Sequence, residues 1–293
     1  MKKVLLVICM LSAGGQALAQ SAPPLASAQG FAVLGTTTVT NTGASLITGD
    51  LGLSPPGVSV TGFSLVPGVN RIVVGPPPAT GVTSGPGIVT GTIHVGDPVA
   101  LMAHADATKA YAALLAQTCN TNLTGQDLGG QTLAPGVYCF NTSAQLTGQL
   151  TLSGNGVYVF QIGSTLTTAS NSSVVLASGA LAGNVFWQVG SSSTLGTASA
   201  FVGNLIAFTS DTVTTGASVM GRVFALGGAV TLDTNNITAA ASAAGGGGGG
   251  GGDGDGDDHN GCKNDGDRDK DHHDKNKDHE DKDKDKDHPD KDH

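Results

Sequence analysis

The sequence carries very little charge between residues 20 and 244, and this scarcity excludes several classes of protein. Only Arg71, Lys109 and Arg222 are basic in this stretch, and the acids are a few scattered aspartates. A surface for nucleic acid or anionic lipid needs clustered lysine and arginine, so neither partner is expected. Aromatic residues make up only 4% of the chain, which favours narrow, tightly stacked β coils over a bulky core.

Long apolar runs are also missing, apart from one at the N-terminus. Residues 1–19 have the pattern of a secretory signal peptide, with Lys2 and Lys3 before an apolar run and Ala17-Leu18-Ala19 as a small-x-small cleavage site. The run is too short to span a bilayer, which takes about 20 residues, so no membrane insertion is expected. We predict an exported, extracellular protein, with the periplasm or the cell surface as alternatives.

Cysteine is scarce as well. Cys9 leaves with the signal peptide, Cys119 and Cys139 lie in the body of the chain, and Cys262 lies near the C-terminus. In an oxidising compartment a Cys119–Cys139 disulfide would close a loop of about 20 residues and add about 3 kcal/mol on the chain-entropy model. This pairing is favoured, although the odd cysteine leaves other pairings open.

What the body does contain is an internal repeat. Gly203-Asn204-Leu205-Ile206-Ala207 recurs 18 residues later as Gly221-Arg222-Val223-Phe224-Ala225. Units this short cannot bury an apolar face alone, so neighbouring units must stack. Each unit alternates aliphatic with small polar residues, as half-buried strands do, and has room for three short strands and three corners. The repeat predicts a parallel β-helix with coils from about residue 130 to residue 238.

One helix interrupts this pattern. Asp97 is a good N-cap and Pro98 suits the first helical position, so a helix is predicted over residues 98–117. An apolar stripe for packing against the coils is predicted from Leu101, Ala105, Thr108, Ala112 and Leu115. His104 and Asp106 point to different faces and are expected to be solvated. The proline-rich residues 54–87 predict a loop, an edge or an end cap.

The composition changes at residue 245. Residues 20–244 form the predicted β-helix domain, residues 245–252 are a glycine linker, and residues 253–293 are rich in Asp, Lys and His and predicted to be disordered. Two aspartate-rich segments of this tail resemble calcium loops but lack the glycine and glutamate that an EF-hand needs. Two interpretations stay open, weak binding of divalent cations and solvation alone, of which solvation is favoured.

The body shows no arrangement of residues suited to catalysis. The acids are far apart in the sequence, and no nucleophile–base pair, metal cluster or phosphate-binding loop is present. Asp211 and Asp233 fall near corresponding corners of successive coils, where solvated carboxylates are expected. We therefore predict a protein that is not an enzyme and needs no cofactor or metal.

Hydroxyl side chains recur in one column of the predicted coils. Adjacent coils lie about 4.7–4.9 Å apart, so outward threonines would form a flat grid close to a repeat of the ice lattice. Each threonine offers a hydroxyl that can join ordered water and a methyl that orders water around it. The alternative is an ordinary solvated strand face. The candidate ice-binding residues are Thr42, Ser45, Thr168, Asn171, Thr197, Ser199, Thr215, Ser218, Thr234 and Asn236.

Several segments give the chain a family resemblance. They include Thr40-Asn41-Thr42-Gly43, Gly49-Asp50-Leu51-Gly52, Pro135-Gly136-Val137-Tyr138, Asn184-Val185-Phe186-Trp187-Gln188-Val189-Gly190 and Val230-Thr231-Leu232-Asp233-Thr234. With these segments the chain resembles the secreted microbial ice-binding β-solenoid family from about residue 32 to residue 238.

The resemblance implies an all-β-dominated fold, a discontinuous right-handed parallel β-helix of triangular section with one long α-helix alongside. It also implies an ice surface built from Thr-Ala/Gly-x-Thr/Asn motifs. Residues 168–171 and 80–83 match this motif fully, whereas the fourth position elsewhere is Ser45, Ala200 or Ser218. The expected function is adsorption to the surface of an ice crystal and inhibition of ice growth or recrystallisation. The alternative is a non-catalytic structural or adhesive β-helix at the cell surface with a cation-binding tail.

Overall fold

The structure is a computed structural model that describes residues 20–56, 59–77 and 81–241. The predicted signal peptide, glycine linker and charged tail lie outside the described residues. The strands before the helix are β1 Phe31–Gly35, β2 Thr38–Asn41, β3 Leu46–Thr48, β4 Asp50–Leu53, β5 Ser59–Phe63, β6 Arg71–Val74, β7 Val82–Ser84, β8 Ile88–Val89 and β9 Thr92–Val95. The helix α1 covers Pro98–Leu115, and short 3-10 helices cover Ala26–Ala28 and Ala182–Asn184.

The strands after α1 complete the stack. They are β10 Thr121–Asn122, β11 Thr132–Leu133, β12 Gly136–Phe140, β13 Ala144–Leu146, β14 Gln149–Ser153, β15 Tyr158–Ile162, β16 Leu166–Thr168, β17 Ser173–Ala177, β18 Val185–Val189, β19 Ser193–Leu195, β20 Ala200–Ala207, β21 Asp211–Val213, β22 Ser218–Ala225, β23 Val230–Leu232 and β24 Asn236–Thr238. All their pairings are parallel, which confirms the β-helix predicted from the repeat.

The coils present three faces. The helix face runs β10-β12-β15-β18-β20-β22-β1-β4-β9-β6, the threonine face runs β13-β16-β19-β21-β23-β2-β5-β7, and the third face runs β11-β14-β17-β20-β22-β24-β3-β8. The eight-residue strands β20 and β22 turn the corner from the third face to the helix face at Gly203 and Gly221, which have φ of 121° and 152°. A Cβ on Gly221 would lie 1.9 Å from the Gly203 carbonyl oxygen, so this corner requires glycine.

The stacking order differs from the chain order. The chain starts in the middle of the stack, builds coils towards β6 and β7, and then crosses to the other end through α1. From β10 it winds back until β22, β23 and β24 pair with β1, β2 and β3. We call this junction, where the last coil meets the first, the seam. An 18-residue helix is about 27 Å long, roughly the height of six coils, so α1 makes most of the crossing from β9 to β10.

The helix packs through its smallest residues. The Asp97 carboxylate accepts a hydrogen bond from the Ala100 amide at 2.8 Å, as expected of an N-cap. The buried positions are Ala100, Ala103, Ala107, Ala110 and Leu114. The predicted stripe is therefore wrong, since Leu101 and Leu115 are 51% and 57% exposed.

The size of the side chains on the helix face explains which residues of α1 are buried. The helix face directs large side chains towards α1, among them Phe31, Phe186 and Phe224, so the helix packs against them mainly with alanines. His104 and Asp106 also differ from expectation. The His104 Nε2 lies 2.7 Å from the Leu226 carbonyl oxygen, and the Asp106 carboxylate accepts hydrogen bonds from the backbone and hydroxyl of Ser27. Both residues attach α1 to the β-helix and its N-terminal segment.

The two ends of the stack are finished differently. At the β10 end a disulfide joins Cys119 to Cys139 with a Cα–Cα distance of 5.9 Å. At the other end the proline-rich segment supplies β6 and β7, the last strands of the helix face and the threonine face. The prediction of edge structure for residues 54–87 is confirmed there, with short strands between the loops.

Candidate functional site

The threonine face has a single outward column along its centre. Most of its strands are three residues long, so the two flanking side chains point inward and the central one points outward, as in Ser193-Thr194-Leu195. The central residue of β13 is Gln145, and the central residues that follow it in spatial order are Thr167, Thr194, Thr212, Thr231, Thr40, Thr61 and Thr83. We call these seven residues the threonine ladder. Its rungs span about 29 Å at the usual strand spacing.

The ladder hydroxyls are free of protein partners. From Thr167 to Thr61, none of the six hydroxyls makes a hydrogen bond with the residues that the structure describes. Thr167, Thr231 and Thr83 are exposed, and the other rungs are half-buried between neighbouring coils. None of the seven rungs is charged, and the same column continues at the β13 end as Gln145 and Asp127. Each rung from Thr167 to Thr61 therefore presents a methyl group and a hydroxyl that has no protein partner among the described residues.

Three of the ten candidate residues predicted from the sequence are buried. Thr168, Ser199 and Ser45 are only 2%, 2% and 1% exposed, so the expectation that they face outward is wrong. The physical reason is the register. Thr167 pairs with Thr194 and points outward, so the adjacent Thr168 points inward, where its Oγ1 accepts a hydrogen bond from the Gly196 amide at 2.9 Å.

Ser199 and Ser45 belong to another inward column. It lies just after the corner that joins the threonine face to the third face, and it consists of Ser172, Ser199, Ala217, Asn235 and Ser45. The residue before four of them has a positive φ, which is 59° at Asn171, 55° at Ala198, 71° at Gly216 and 56° at Thr234. This left-handed turn directs the next side chain into the core.

The other seven candidate residues lie at the surface on this corner or just beyond it. Thr42, Asn171, Thr197, Thr215 and Thr234 are exposed at the corner, and Ser218 and Asn236 begin strands of the third face. Unlike the ladder hydroxyls, several corner hydroxyls are engaged. Thr215 and Thr234 donate to the two oxygens of Asp233, at 2.5 and 3.0 Å, and Thr197 bonds to the Thr214 hydroxyl at 3.4 Å.

Two carboxylates near this surface have opposite environments. The Asp233 carboxylate accepts hydrogen bonds from the hydroxyls of Thr215 and Thr234, which hold its pKa below the usual value. Asp211 lies inside the coil between Ser193 and Val230 and is completely buried. Burial raises its pKa to about 8, against the effect of a hydrogen bond from the Ser193 hydroxyl. The expectation of a solvated Asp211 is therefore wrong, because its position is an inward one.

No other element of the described residues packs over the third face, and its outward side chains are chemically mixed. Its outward side chains include Leu46, Ile88, Val175 and Met220, which are between 39% and 55% exposed. A short run of Thr238, Thr48 and Thr90 lies beside them. This face offers apolar area but no continuous row of hydroxyls.

Sequence reasoning missed the ladder as a unit, although a signal for it was present. A threonine has an aliphatic neighbour on at least one side in Ser193-Thr194-Leu195, Asp211-Thr212-Val213, Val230-Thr231-Leu232, Val39-Thr40-Asn41 and Val60-Thr61-Gly62. Aligning these triplets on their central residue gives the observed register. Aligning the Thr-Ala/Gly-x-Thr/Asn motifs instead selects residues at the corner between the threonine face and the third face.

The described residues hold no cluster of three or more His, Cys, Asp or Glu side chains suited to a metal ion. Among the helices described, none is long and apolar enough to cross a membrane. The arrangement is thus a parallel β-helix that displays a regular row of hydroxyl and methyl groups, one rung per coil.

Comparison with known proteins places this β-helix in a family. Residues 33–238 match the family model described as ice-binding-like, and the chain belongs to this family. An ice-binding protein of Nostoc sp. (strain HG1) is 49% identical over 242 residues, which cover 81% of each chain. Another, from Flammulina populicola, is 37% identical and is covered to 82% of its length.

Solved structures agree with this assignment. An ice-binding protein from an Antarctic biological consortium matches with a TM-score of 0.66 and 40% identity, covering 76% of this chain and 93% of that one. An ice-binding protein from the Antarctic ascomycete Antarctomyces psychrotrophicus matches with a TM-score of 0.65 and 38% identity, covering 76% and 100%.

Proposed function

We propose that this protein adsorbs to ice through the threonine ladder and thereby inhibits the growth or recrystallisation of ice. The observation that carries the proposal is the state of the six hydroxyls from Thr167 to Thr61. They are in register on successive coils and have no hydrogen-bond partner in the part of the chain that the structure describes, whereas corner hydroxyls such as that of Thr215 are bound to Asp233. The names of the relatives support the same function.

The physical basis is a match between a rigid surface and ordered water. Coils spaced about 4.7–4.9 Å apart hold the rungs at a repeat close to one of ice. A free hydroxyl can donate to and accept from water in the lattice, and the adjacent methyl favours an ordered water cage. A charged side chain would retain its own hydration shell, so the uncharged rungs suit this role.

Export and the absence of catalysis belong to the same proposal. A signal peptide at residues 1–19 would bring the protein to the medium in which ice forms. We propose no cofactor and no reaction, since adsorption to a crystal requires only a surface. A structural or adhesive role at the cell surface has no support from the comparisons. Cation binding by the tail concerns residues outside the described part of the chain.

Partitioning into a growing ice front tests the function. The mature chain from residue 20 to residue 293, labelled with a fluorophore and cooled on a slowly growing ice hemisphere, is expected to become enriched in the ice. An inert protein of similar size provides the control, because solutes that do not bind are rejected by the front. Rejection of this protein to the same degree as the control would exclude ice binding.

A further inference from the structure

A chain of buried polar side chains runs beneath the corner and across the seam. The Asn235 Nδ2 donates to the carbonyl oxygens of Thr214 and Ala217 at 2.8 and 3.0 Å. The backbone N–H of Asn235 donates to the Ser45 Oγ at 2.8 Å, and the Ser45 hydroxyl donates to the Asn41 Oδ1 at 2.6 Å. We call Asn235, Ser45 and Asn41 the seam chain.

The seam chain continues into one more coil. The Asn41 Nδ2 donates to the Gly62 carbonyl oxygen at 2.8 Å. The seam chain therefore connects four consecutive coils, and these coils carry Thr212, Thr231, Thr40 and Thr61, the central rungs of the ladder. All three of its side chains are 4% exposed or less, so water does not compete for these bonds.

At the seam, neighbouring rungs of the ladder lie on coils that are not consecutive in the sequence. Elsewhere successive coils follow each other along the chain, but Thr231 and Thr40 belong to coils formed by opposite ends of the domain. The inward residues of the threonine face near the seam are valines such as Val230, Val39 and Val60. They exclude a shift of the pairing by one residue but not by two, because strand side chains alternate with a period of two. Buried polar groups specify the register strongly, because a shifted donor or acceptor is left unpaired.

We propose that Asn41, Ser45 and Asn235 are positioning residues for ice adsorption, which keep the two halves of the threonine ladder in register and evenly spaced across the seam. The inference rests on the proposed function of the ladder. Ser45 thus acts from inside the coil, not as the surface contact that the sequence suggested.

Ser45→Ala tests this role, with Ser199→Ala as a matched control. Both serines lie in the same inward column and are almost equally buried, but the Ser199 Oγ has no hydrogen-bond partner in the structure. Ice-growth inhibition is measured just below 0 °C, where a moderate loss of thermal stability leaves the protein folded. Ser45→Ala is expected to need at least threefold more protein for the same inhibition, and Ser199→Ala the same amount as wild type. Equal activity of all three proteins would overturn the proposal.

Methyl NMR gives a readout that does not depend on ice. In Ser45→Ala the methyl resonances of Thr231 and Thr40, on either side of the seam, are expected to shift, while those of the distant Thr167 and Thr83 stay in place. Unchanged Thr231 and Thr40 resonances would overturn the proposal even if wild type proved inactive on ice. Inactivity of the wild-type protein on ice, taken alone, would refute the proposed function but not the role of these residues in positioning the ladder.

If Ser45→Ala does not fold, amide hydrogen exchange in the wild-type protein replaces it. The Asn235 amide, whose acceptor is the Ser45 hydroxyl, is expected to be among the most protected amides of the domain. Rapid exchange of this amide would mean that the seam is open in solution, and the proposal would fail.

Discussion

Thr212→Tyr is expected to remove most ice-growth inhibition while leaving the fold intact. Thr212 is the central residue of β21, and its outward side chain lies between Thr194 and Thr231 on the ladder. A tyrosine ring there would stand several ångströms above the neighbouring rungs and keep a rigid surface away from a flat crystal. Substitution of an outward residue usually changes the free energy of unfolding by less than about 0.5 kcal/mol. Circular dichroism and the melting temperature should therefore be nearly those of wild type.

Tyrosine substitutions outside the ladder serve as controls for Thr212→Tyr. Thr215→Tyr at the corner is expected to reduce inhibition less than Thr212→Tyr, and Ser218→Tyr on the third face should have little effect. Ala112→Tyr, at an exposed position of α1, controls for added bulk away from the coils. Wild-type activity in Thr212→Tyr together with a large loss of activity in Ser218→Tyr would show that the protein contacts ice through the third face and not through the ladder.

Asp211→Asn is expected to abolish a steep pH dependence of stability. The buried Asp211 carboxyl has a pKa raised to about 8 by desolvation, and its Oδ2 has no hydrogen-bond partner in the structure. A raised pKa means that the folded state holds this proton more tightly than the unfolded state, whose aspartates titrate near about 4. The stabilisation is complete below about pH 4, falls as the pH rises, and is lost near the folded pKa of about 8.

Thermal unfolding between pH 6 and pH 8 measures this effect. Wild type should lose up to about 1.4 kcal/mol per pH unit, or roughly 3–5 °C in melting temperature for a domain of this size. Asp211→Asn should lack this slope, because the amide does not ionise and can still bond to Ser193. Asp233→Asn is the control. Hydroxyl donors lower the pKa of Asp233, so it stays ionised across this range and its removal should leave the slope unchanged. Parallel profiles for wild type and Asp211→Asn would show that the Asp211 carboxyl reaches water.

The architecture could be predicted from the sequence because the repeat is explicit there. A step of 18 residues with alternating aliphatic and polar side chains requires stacked coils, and Asp97-Pro98 marks the start of the helix. The helix surface that would be buried could not be predicted the same way. It depends on the size of partner side chains such as Phe186 and Phe224, which are remote in the sequence.

The register was the main source of error at the site. Strand side chains alternate with a period of two, so the difference between Thr167 and Thr168 is the difference between solvent and core. The sequence contains a threonine at both positions, and only the pairing of Thr167 with Thr194 decides which one is outward. The corner adds a further complication, because a left-handed residue such as Ala198 interrupts the alternation and buries Ser199.

The seam could not be predicted from the sequence for a different reason. The repeat runs along the chain, but the contact between Thr231 and Thr40 joins two distant parts of it. The family resemblance implied a discontinuous helix without showing which coils meet. The ladder becomes continuous only when the first coil stacks on the last, so its length cannot be inferred from consecutive repeats.

Magnetisation transfer from ice to threonine methyl groups in frozen solution tests most directly whether the ladder is the surface that contacts ice. In the mature protein with ¹³C-labelled threonine, the methyl groups of Thr194, Thr212, Thr231 and Thr40 are expected to receive signal from the protons of ice. Thr48, Thr90 and Thr238 on the third face and Thr108 on α1 should receive little. Strong transfer to the third-face threonines, with none to the ladder, would contradict the account.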